Sequence, residues 1–194
     1  MNKVEPIRNP EKIAQIKNLL KAKDDPRDYL LFTLGINFAL RIQDLLSLKV
    51  KDVLEVEDGK IKLKEYVYLR ERKTGKQKRI RINQSAREAL EHYFSRVGEV
   101  DPEDYLFRSH RSDKPLDRSR AYRLVREWTE AVGLTQGRYG THSLRKTWGY
   151  QARKQGVPIE LIMEKLGHSS PSVTKRYIGI TDDEIEDVEN HVNL

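Results

Sequence analysis

The stretch Thr141-His142-Ser143-Leu144-Arg145-Lys146 predicts the start of a helix that Thr141 caps. His142 and Arg145 lie three positions apart, so they share one face of that helix. A histidine can move protons and an arginine can hold a phosphate, so both side chains can act on one target. The N–H groups of a first helical turn also favour an anion. An isolated pair of this kind is more often an ordinary surface pair, so the rest of the chain decides its meaning.

Four further residues extend the pair to a set with complementary chemistry: Arg41, Lys73, His168 and Tyr177. Each alone has a simpler explanation as a helix-end cation, a hydrophilic turn or a packed ring. Together, arginines can clamp phosphodiester oxygens, histidines can transfer protons and a phenol oxygen can attack phosphorus. Asp44, three residues after Arg41, can orient that guanidinium. The set predicts phosphodiester chemistry that needs neither a metal ion nor a cofactor.

The charge of the chain is concentrated in its first 180 residues. The 194 residues include 37 Lys and Arg against 30 Asp and Glu, a net charge of +7. Residues 181–194 hold six of the acids and no Lys or Arg, so residues 1–180 carry +13. A basic body favours nucleic acid, although a solvated surface explains it equally well. The candidate phosphate contacts are Lys76, Arg118, Arg120, Arg123, Lys146, Lys175 and Arg176.

The composition also excludes several classes of site. Cysteine is absent, which excludes disulfides, thiolate metal sites and a cysteine nucleophile. The longest apolar run, residues 29–40, is too short to span a bilayer, and residues 1–6 show no signal-peptide pattern. We therefore expect a cytoplasmic protein without a membrane segment.

The periodicity predicts helices interrupted by one short β region. Asn9-Pro10 and Asp25-Pro26 start the first two helices, of which the second is apolar almost all round and ends near Leu40. Turn signals at Asp58-Gly59 and at residues 73–76 predict two hairpins within a three- or four-stranded antiparallel sheet. Further helices are expected from residues 85, 118, 141, 158 and 170, and a capping box at 181–184 predicts a tail helix. The sequence thus predicts an α+β domain over residues 1–180 and an acidic tail over 181–194.

The order Arg, Lys on a hairpin, His-x-x-Arg, Gly-His and Tyr resembles the tyrosine recombinase (phage integrase) family. The segment at residues 39–45 looks like the family's first-arginine segment, and residues 141–147 look like its second. Residues 166–177 look like its Leu-Gly-His box and nucleophile. Each motif is weak alone, but their order and spacing over residues 10–180 are specific. The resemblance implies the catalytic-domain fold of these DNA breaking-rejoining enzymes.

The resemblance also implies a reaction at one DNA phosphate. Tyr177 would attack the scissile phosphate, form a 3′-phosphotyrosyl link and release a 5′-hydroxyl. Arg41 and Arg145 would hold the non-bridging oxygens, and Lys73 would protonate the leaving oxygen. A strand from a partner duplex would then reverse the reaction without ATP or metal.

The histidines complete the implied mechanism. His142 would assist proton transfer to or from the tyrosine, and His168 would donate a hydrogen bond to the phosphate. A free tyrosine has a pKa of ~10. We expect nearby arginine and protonated histidine charges to lower the pKa of Tyr177 and to favour the phenolate.

The expected partners are double-stranded DNA and further copies of the chain. Relatives usually carry an N-terminal helical domain that clamps the DNA, and residues 1–180 provide none, so we expect weak and poorly selective binding. Self-association into a tetramer is expected on DNA, with a monomer when free. The tail has an apolar side formed by Ile185, Val188 and Val192, which could dock on a neighbouring protomer or pack on its own body.

Three other functions fit parts of the pattern. A type IB topoisomerase shares the chemistry but would relax supercoils as a monomer. A non-catalytic DNA-binding protein would keep the basic surface with a vestigial site, although the intact set of six residues argues against it. A metal-dependent nuclease is disfavoured, because no acidic cluster accompanies the histidines.

Overall fold

The computed structural model describes residues 4–23, 25–57, 60–180 and 188–192 of the chain. Its helices are α1 (Pro10–Lys21), α2 (Pro26–Phe38), α3 (Ile42–Leu46), α4 (Val50–Val53), α5 (Gln84–Val97), α6 (Arg118–Ala131), α7 (Thr141–Lys154), α8 (Ile159–Leu166) and α9 (Pro171–Ile178). Its strands are β1 (Leu54–Glu57), β2 (Lys60–Leu63), β3 (Tyr66–Arg70) and β4 (Gln77–Arg81). No helix in these ranges is long and apolar enough to cross a membrane.

The first helices begin where their capping residues predict. The side chains of Asn9 and Asp25 accept hydrogen bonds from the N–H groups of Glu11 and Arg27, at 2.8 and 3.0 Å. Helix α2 is buried along nearly its whole length and packs against α1, α5 and α7, which confirms its central place. Helix α5 is capped by Asn83, whose side chain accepts from Ala86, rather than opening at a Ser85 capping box.

The strands form two separate two-stranded sheets instead of one sheet of three or four strands. Both predicted hairpins exist, with Leu54 opposite Leu63 and Tyr66 opposite Arg81. Val53 is the last residue of the short helix α4, directly before β1, and its carbonyl accepts from the Lys64 N–H at 2.8 Å. That bond continues the β1–β2 pairing by one residue pair, and the described strands of the two hairpins do not pair with each other. The mainly helical α+β fold is otherwise as predicted.

The buried hydrophobic residues of the described chain include two separate clusters. The larger one is built around α2, while the smaller one joins α8 and α9 to Ala39 after α2. Helices α7 and α9 approach closely at Gly149, where an added Cβ would lie 2.5 Å from Ile178 Cγ2. This contact fixes the position of α9, which carries Tyr177.

The tail prediction falls largely outside the described residues, since 181–187 and 193–194 are not among them. Residues 188–191 are helical, as expected for part of the tail. Val188 and Val192 are both 61% exposed, so these two apolar side chains are not packed on the body.

Candidate active site

A strained turn between α2 and α3 positions Arg41. Ala39 adopts the left-handed conformation with φ 56°, which is uncommon for a residue with a Cβ. Arg41 follows in extended conformation at the start of α3 and is partly exposed. The Ala39 carbonyl accepts a hydrogen bond of 2.5 Å from Arg145 Nη1, which secures this turn. The two arginine segments predicted from the sequence are therefore in direct contact.

Arg145 lies in the second turn of α7 and is buried, with 4% of its surface exposed. Its Nη2 donates to the Leu166 carbonyl at the end of α8, so the guanidinium links α2, α7 and α8. Burial lowers the pKa of Arg145, while the nearby Tyr177 acts in the opposite direction. The group stays a cation because an arginine pKa lies far above neutrality.

Tyr177 reaches the same place from the last turn of α9. Its ring centroid lies 4.8 Å from that of His168 in an edge-to-face contact, and Lys146 Nζ lies 5.1 Å from its centroid. Burial raises the pKa of Tyr177, although the Arg145 guanidinium and the charge of Arg41 oppose that rise. The expected phenolate is therefore a wrong prediction for the DNA-free protein, because desolvation of the ring exceeds the effect of the cations.

Both histidines lie within electrostatic reach of the arginines. Burial and the charges of Arg145 and Arg41 lower the pKa of His168 to about 4. His142 is more exposed, yet desolvation and the nearby cations, Arg145 first, also lower its pKa. Both rings are therefore neutral at neutral pH and able to accept a proton, contrary to the expected protonated histidines. His168 Nδ1 lies 3.1 Å from Thr174 Oγ1, which leaves Nε2 for a phosphate.

The structure adds Glu71, which the sequence analysis missed. Glu71 is 2% exposed, and its Oε1 pairs with Arg41 Nη1 at 2.7 Å. Its Oε2 accepts from Thr74 Oγ1 at 2.6 Å, inside the turn that carries Lys73. Burial would raise the pKa of Glu71, but the Thr74 hydrogen bond and the charge of Arg41 outweigh it and lower the pKa. This carboxylate therefore ties Arg41 to the β3–β4 turn.

Asp44 has a different role from the one expected. The ion pair of Arg41 is made by Glu71, whereas the buried Asp44 accepts from the backbone N–H of Arg72 at 3.0 Å. Asp44 thus supports the turn rather than the guanidinium. The sequence did contain a signal for Glu71, because it continues the inward alternation of Val67 and Leu69 along β3. A carboxylate in an inward position requires a partner.

The β3–β4 turn brings two lysines towards the site. Lys73 and Lys76 are exposed. Lys76 lines a surface pocket together with His168 and Ser169, and Lys78 Nζ donates to the Lys165 carbonyl at 3.2 Å. The hairpin therefore rests against the end of α8, and the catalytic role of the exposed Lys73 stays a prediction.

The candidate DNA contacts divide into three groups. Lys146 is 4% exposed and its Nζ donates to the Val4 carbonyl at 2.8 Å, so its prediction as a phosphate contact is wrong. Arg118 is exposed, and its charge is among those that lower the pKa of His142, which is consistent with its predicted role as a phosphate contact. The others are partly or fully exposed, with Arg120 paired to a glutamate, and their roles stay predictions: Lys76, Arg120, Arg123, Lys175 and Arg176.

Comparison with known proteins identifies the family. The family model described as Phage integrase family matches residues 9–184. The chain belongs to this family. Probable integrase/recombinase YoeC of Bacillus subtilis is 43% identical over 183 residues, which cover 94% of this chain and 93% of that protein. A tyrosine recombinase of Pseudothermotoga lettingae is 32% identical over 202 residues, covering 97% of this chain and 65% of that one. This phage integrase chain thus spans almost all of one relative and about two thirds of the other.

Solved structures confirm the fold. XerA recombinase superposes with a TM-score of 0.75 at 23% identity, covering 98% of this chain and 66% of that one. XerH site-specific recombinase bound to palindromic difH substrate gives 0.73 at 21% identity, covering 97% and 53%. The chain therefore belongs to the phage integrase family and has the catalytic-domain fold of a tyrosine recombinase, as its sequence predicted.

Proposed function

We propose that this phage integrase domain cuts and rejoins double-stranded DNA through a phosphotyrosyl link at Tyr177. The observation that carries the proposal is the meeting of Arg41, Arg145, His168 and Tyr177, from separate segments of the chain, around one position. Structural ion-pair networks can also gather arginines. A purely structural network does not explain why Tyr177, from a separate helix, lies beside the neutral His168 in the same cluster.

In this proposal the guanidinium groups of Arg41 and Arg145 bind the scissile phosphate. Arg145 has five N–H donors and uses two nitrogens on backbone carbonyls, so donors remain for a non-bridging oxygen. Arg41 uses only Nη1 in the described part of the chain, on Glu71. Both guanidiniums are held before DNA arrives, so they can stabilise the extra charge of the pentavalent transition state without reorganisation.

The proton steps use a neutral histidine as the base and a lysine ammonium as the acid. The Tyr177 oxygen forms a bond to phosphorus, and its proton passes to a neutral imidazole, for which His142 is the candidate. The bond from phosphorus to the 5′-oxygen breaks, and Lys73 supplies the proton that the leaving oxygen takes. The raised pKa of Tyr177 means that a base is needed at neutral pH. Return of the 5′-hydroxyl of another strand reverses each step.

A trapping experiment tests this function. A pool of nicked duplexes, randomised on the 5′ side of the nick, lets the short fragment diffuse away after cleavage and leaves protein attached to DNA. We expect a covalent adduct with the wild-type chain and none with Tyr177→Phe. Tyr122→Phe, at an exposed tyrosine of α6, is the matched control and should form the adduct. Absence of adduct with wild type, or its persistence in Tyr177→Phe, would refute the proposal.

We further propose that copies of the chain associate on DNA through the acidic tail. Exposure of Val188 and Val192 supports docking on a neighbour over packing on the same body. Deletion of residues 181–194 should abolish the DNA-dependent rise in mass seen by light scattering and leave single-strand cleavage intact. An unchanged mass on DNA would exclude this role for the tail.

A further inference from the structure

The β3–β4 hairpin has one face that the catalytic proposal does not use. Residues alternate along both strands, so that Val67 and Ile80 point into the core. Three cross-strand pairs form the opposite, solvent-facing side, which we call the hairpin face: Tyr66 with Arg81, Tyr68 with Arg79, and Arg70 with Gln77. This face holds three cations and no carboxylate.

The arginines of the hairpin face differ from two arginines of α6 that are paired with glutamates. On α6, Arg126 pairs with Glu130 at 2.7 Å and Arg120 pairs with Glu127 at 3.3 Å. Within residues 4–23, 25–57, 60–180 and 188–192, the arginines of the hairpin face make no ion pair with a carboxylate. Like charges on one face of a hairpin repel one another. The hairpin face therefore concentrates three positive charges, which an anion from outside the chain can neutralise.

Tyrosine rings hold these guanidiniums in place. Arg79 Cζ lies 4.1 Å from the centroid of Tyr66, and Arg81 Cζ lies 5.5 Å from it. Arg81 Nη1 also donates to the Tyr66 hydroxyl at 2.9 Å. Cations stacked on a ring lose little freedom on binding, which favours recognition of a phosphate. Tyr68 is 65% exposed and offers an open aromatic surface beside them.

We propose that the hairpin face binds the backbone of the double-stranded DNA that flanks the scissile phosphate. The inference rests on the proposed function, since the turn of the same hairpin presents Lys73 to the cleaved strand. Guanidinium forks suit phosphate oxygens, and an exposed ring suits sugar or base surfaces. The face extends the DNA-binding surface of the chain beyond the catalytic pocket, in a domain whose other predicted contacts are scattered.

Salt dependence of binding tests the proposal. The double variant Arg79→Gln/Arg81→Gln is compared with wild type for affinity to an intact duplex of randomised sequence, over a range of salt concentrations. Each lost phosphate contact lowers the salt slope by about 1, so we expect a decrease of about 2 with weaker binding to all sequences. The variant Tyr68→Ala should weaken binding and leave the slope unchanged.

The control is Arg96→Gln/Arg126→Gln, which removes the same charge from α5 and α6. If this control lost as much DNA affinity and salt slope as the hairpin variant, net charge alone would explain the weaker binding, and the proposal would be overturned. Unchanged binding of DNA by the hairpin variants would also overturn it. If the variants lost self-association but kept their affinity for DNA, the face would bind another protomer, and the proposal would be overturned as well.

The two proposals fail separately. At saturating protein, Arg79→Gln/Arg81→Gln should still form the Tyr177 adduct on the nicked pool. If this variant forms the adduct and its DNA affinity and salt slope are unaltered, only the proposal for the hairpin face is refuted. If the wild-type chain forms no adduct, the catalytic proposal itself is refuted.

Discussion

Arg145→Lys is expected to slow formation of the covalent adduct by roughly 10²–10³-fold, the usual effect of losing one donor to a developing oxyanion. Lysine keeps the positive charge but offers one compact ammonium in place of a planar fork. It cannot reach the Ala39 and Leu166 carbonyls and a phosphate oxygen together. The measurement is the single-turnover rate on the nicked pool at saturating protein.

The same change should lower stability, because buried carbonyls lose their donors. Each unsatisfied group costs about 1–3 kcal/mol, so the free energy of unfolding should fall measurably. Rates are therefore compared well below the unfolding transition of the variant. Arg153→Lys, at an exposed arginine of the same helix, is the control and should match wild type in both respects. A rate for Arg145→Lys within a few-fold of wild type would contradict the assignment of Arg145.

Glu71→Gln is expected to slow the adduct by roughly 10- to 100-fold, since small misplacements of catalytic groups have effects of that size. The amide keeps the shape of the carboxylate and removes the charge that holds Arg41. It also weakens the acceptor for Thr74 in the Lys73 turn. Arg41, which holds a non-bridging oxygen, and Lys73, which protonates the leaving oxygen, would thereby lose the carboxylate that positions both of them.

A double-mutant cycle separates positioning from general stability. If Glu71 acts through Arg41, the effects of Glu71→Gln and Arg41→Lys on the rate should be strongly non-additive. Glu127→Gln, which removes an exposed carboxylate on α6, should leave the rate unchanged. A faster Glu71→Gln enzyme would instead mean that Glu71 competes with the phosphate for Arg41.

The sequence predicted the central elements because local signals determine them. Asn9 and Asp25 cap the first two helices, and Asp117 and Ser170 cap the helices that were expected from residues 118 and 170. The prediction that Thr141 caps α7 is wrong, because Gly140 occupies the cap position and Thr141 is the first helical residue. The ends of α8 and α9 follow from Gly167 and Gly179, both left-handed. The meeting of Arg145, His168 and Tyr177 came from motif order and spacing, and local physics alone would not have given it.

The errors concern properties that depend on tertiary packing. Lys146 looked like any basic residue beside the motif, and only the N-terminal segment that crosses α7 shows why it is buried against Val4 and Tyr177. The pKa of Tyr177 depends on how much water the ring loses, which the residue types around it do not specify. Asp44 and Glu71 are both near Arg41 in space, and sequence distance favoured the wrong one.

The most direct test is chemical mapping of the trapped adduct. Digestion of the wild-type adduct by nuclease and protease, followed by mass spectrometry, identifies the linked residue and the polarity of the link. We predict a single modified peptide carrying a nucleotide 3′-phosphate on the oxygen of Tyr177, with a 5′-hydroxyl on the released fragment. A link through another residue, or a 5′-phosphate on the protein, would contradict the account.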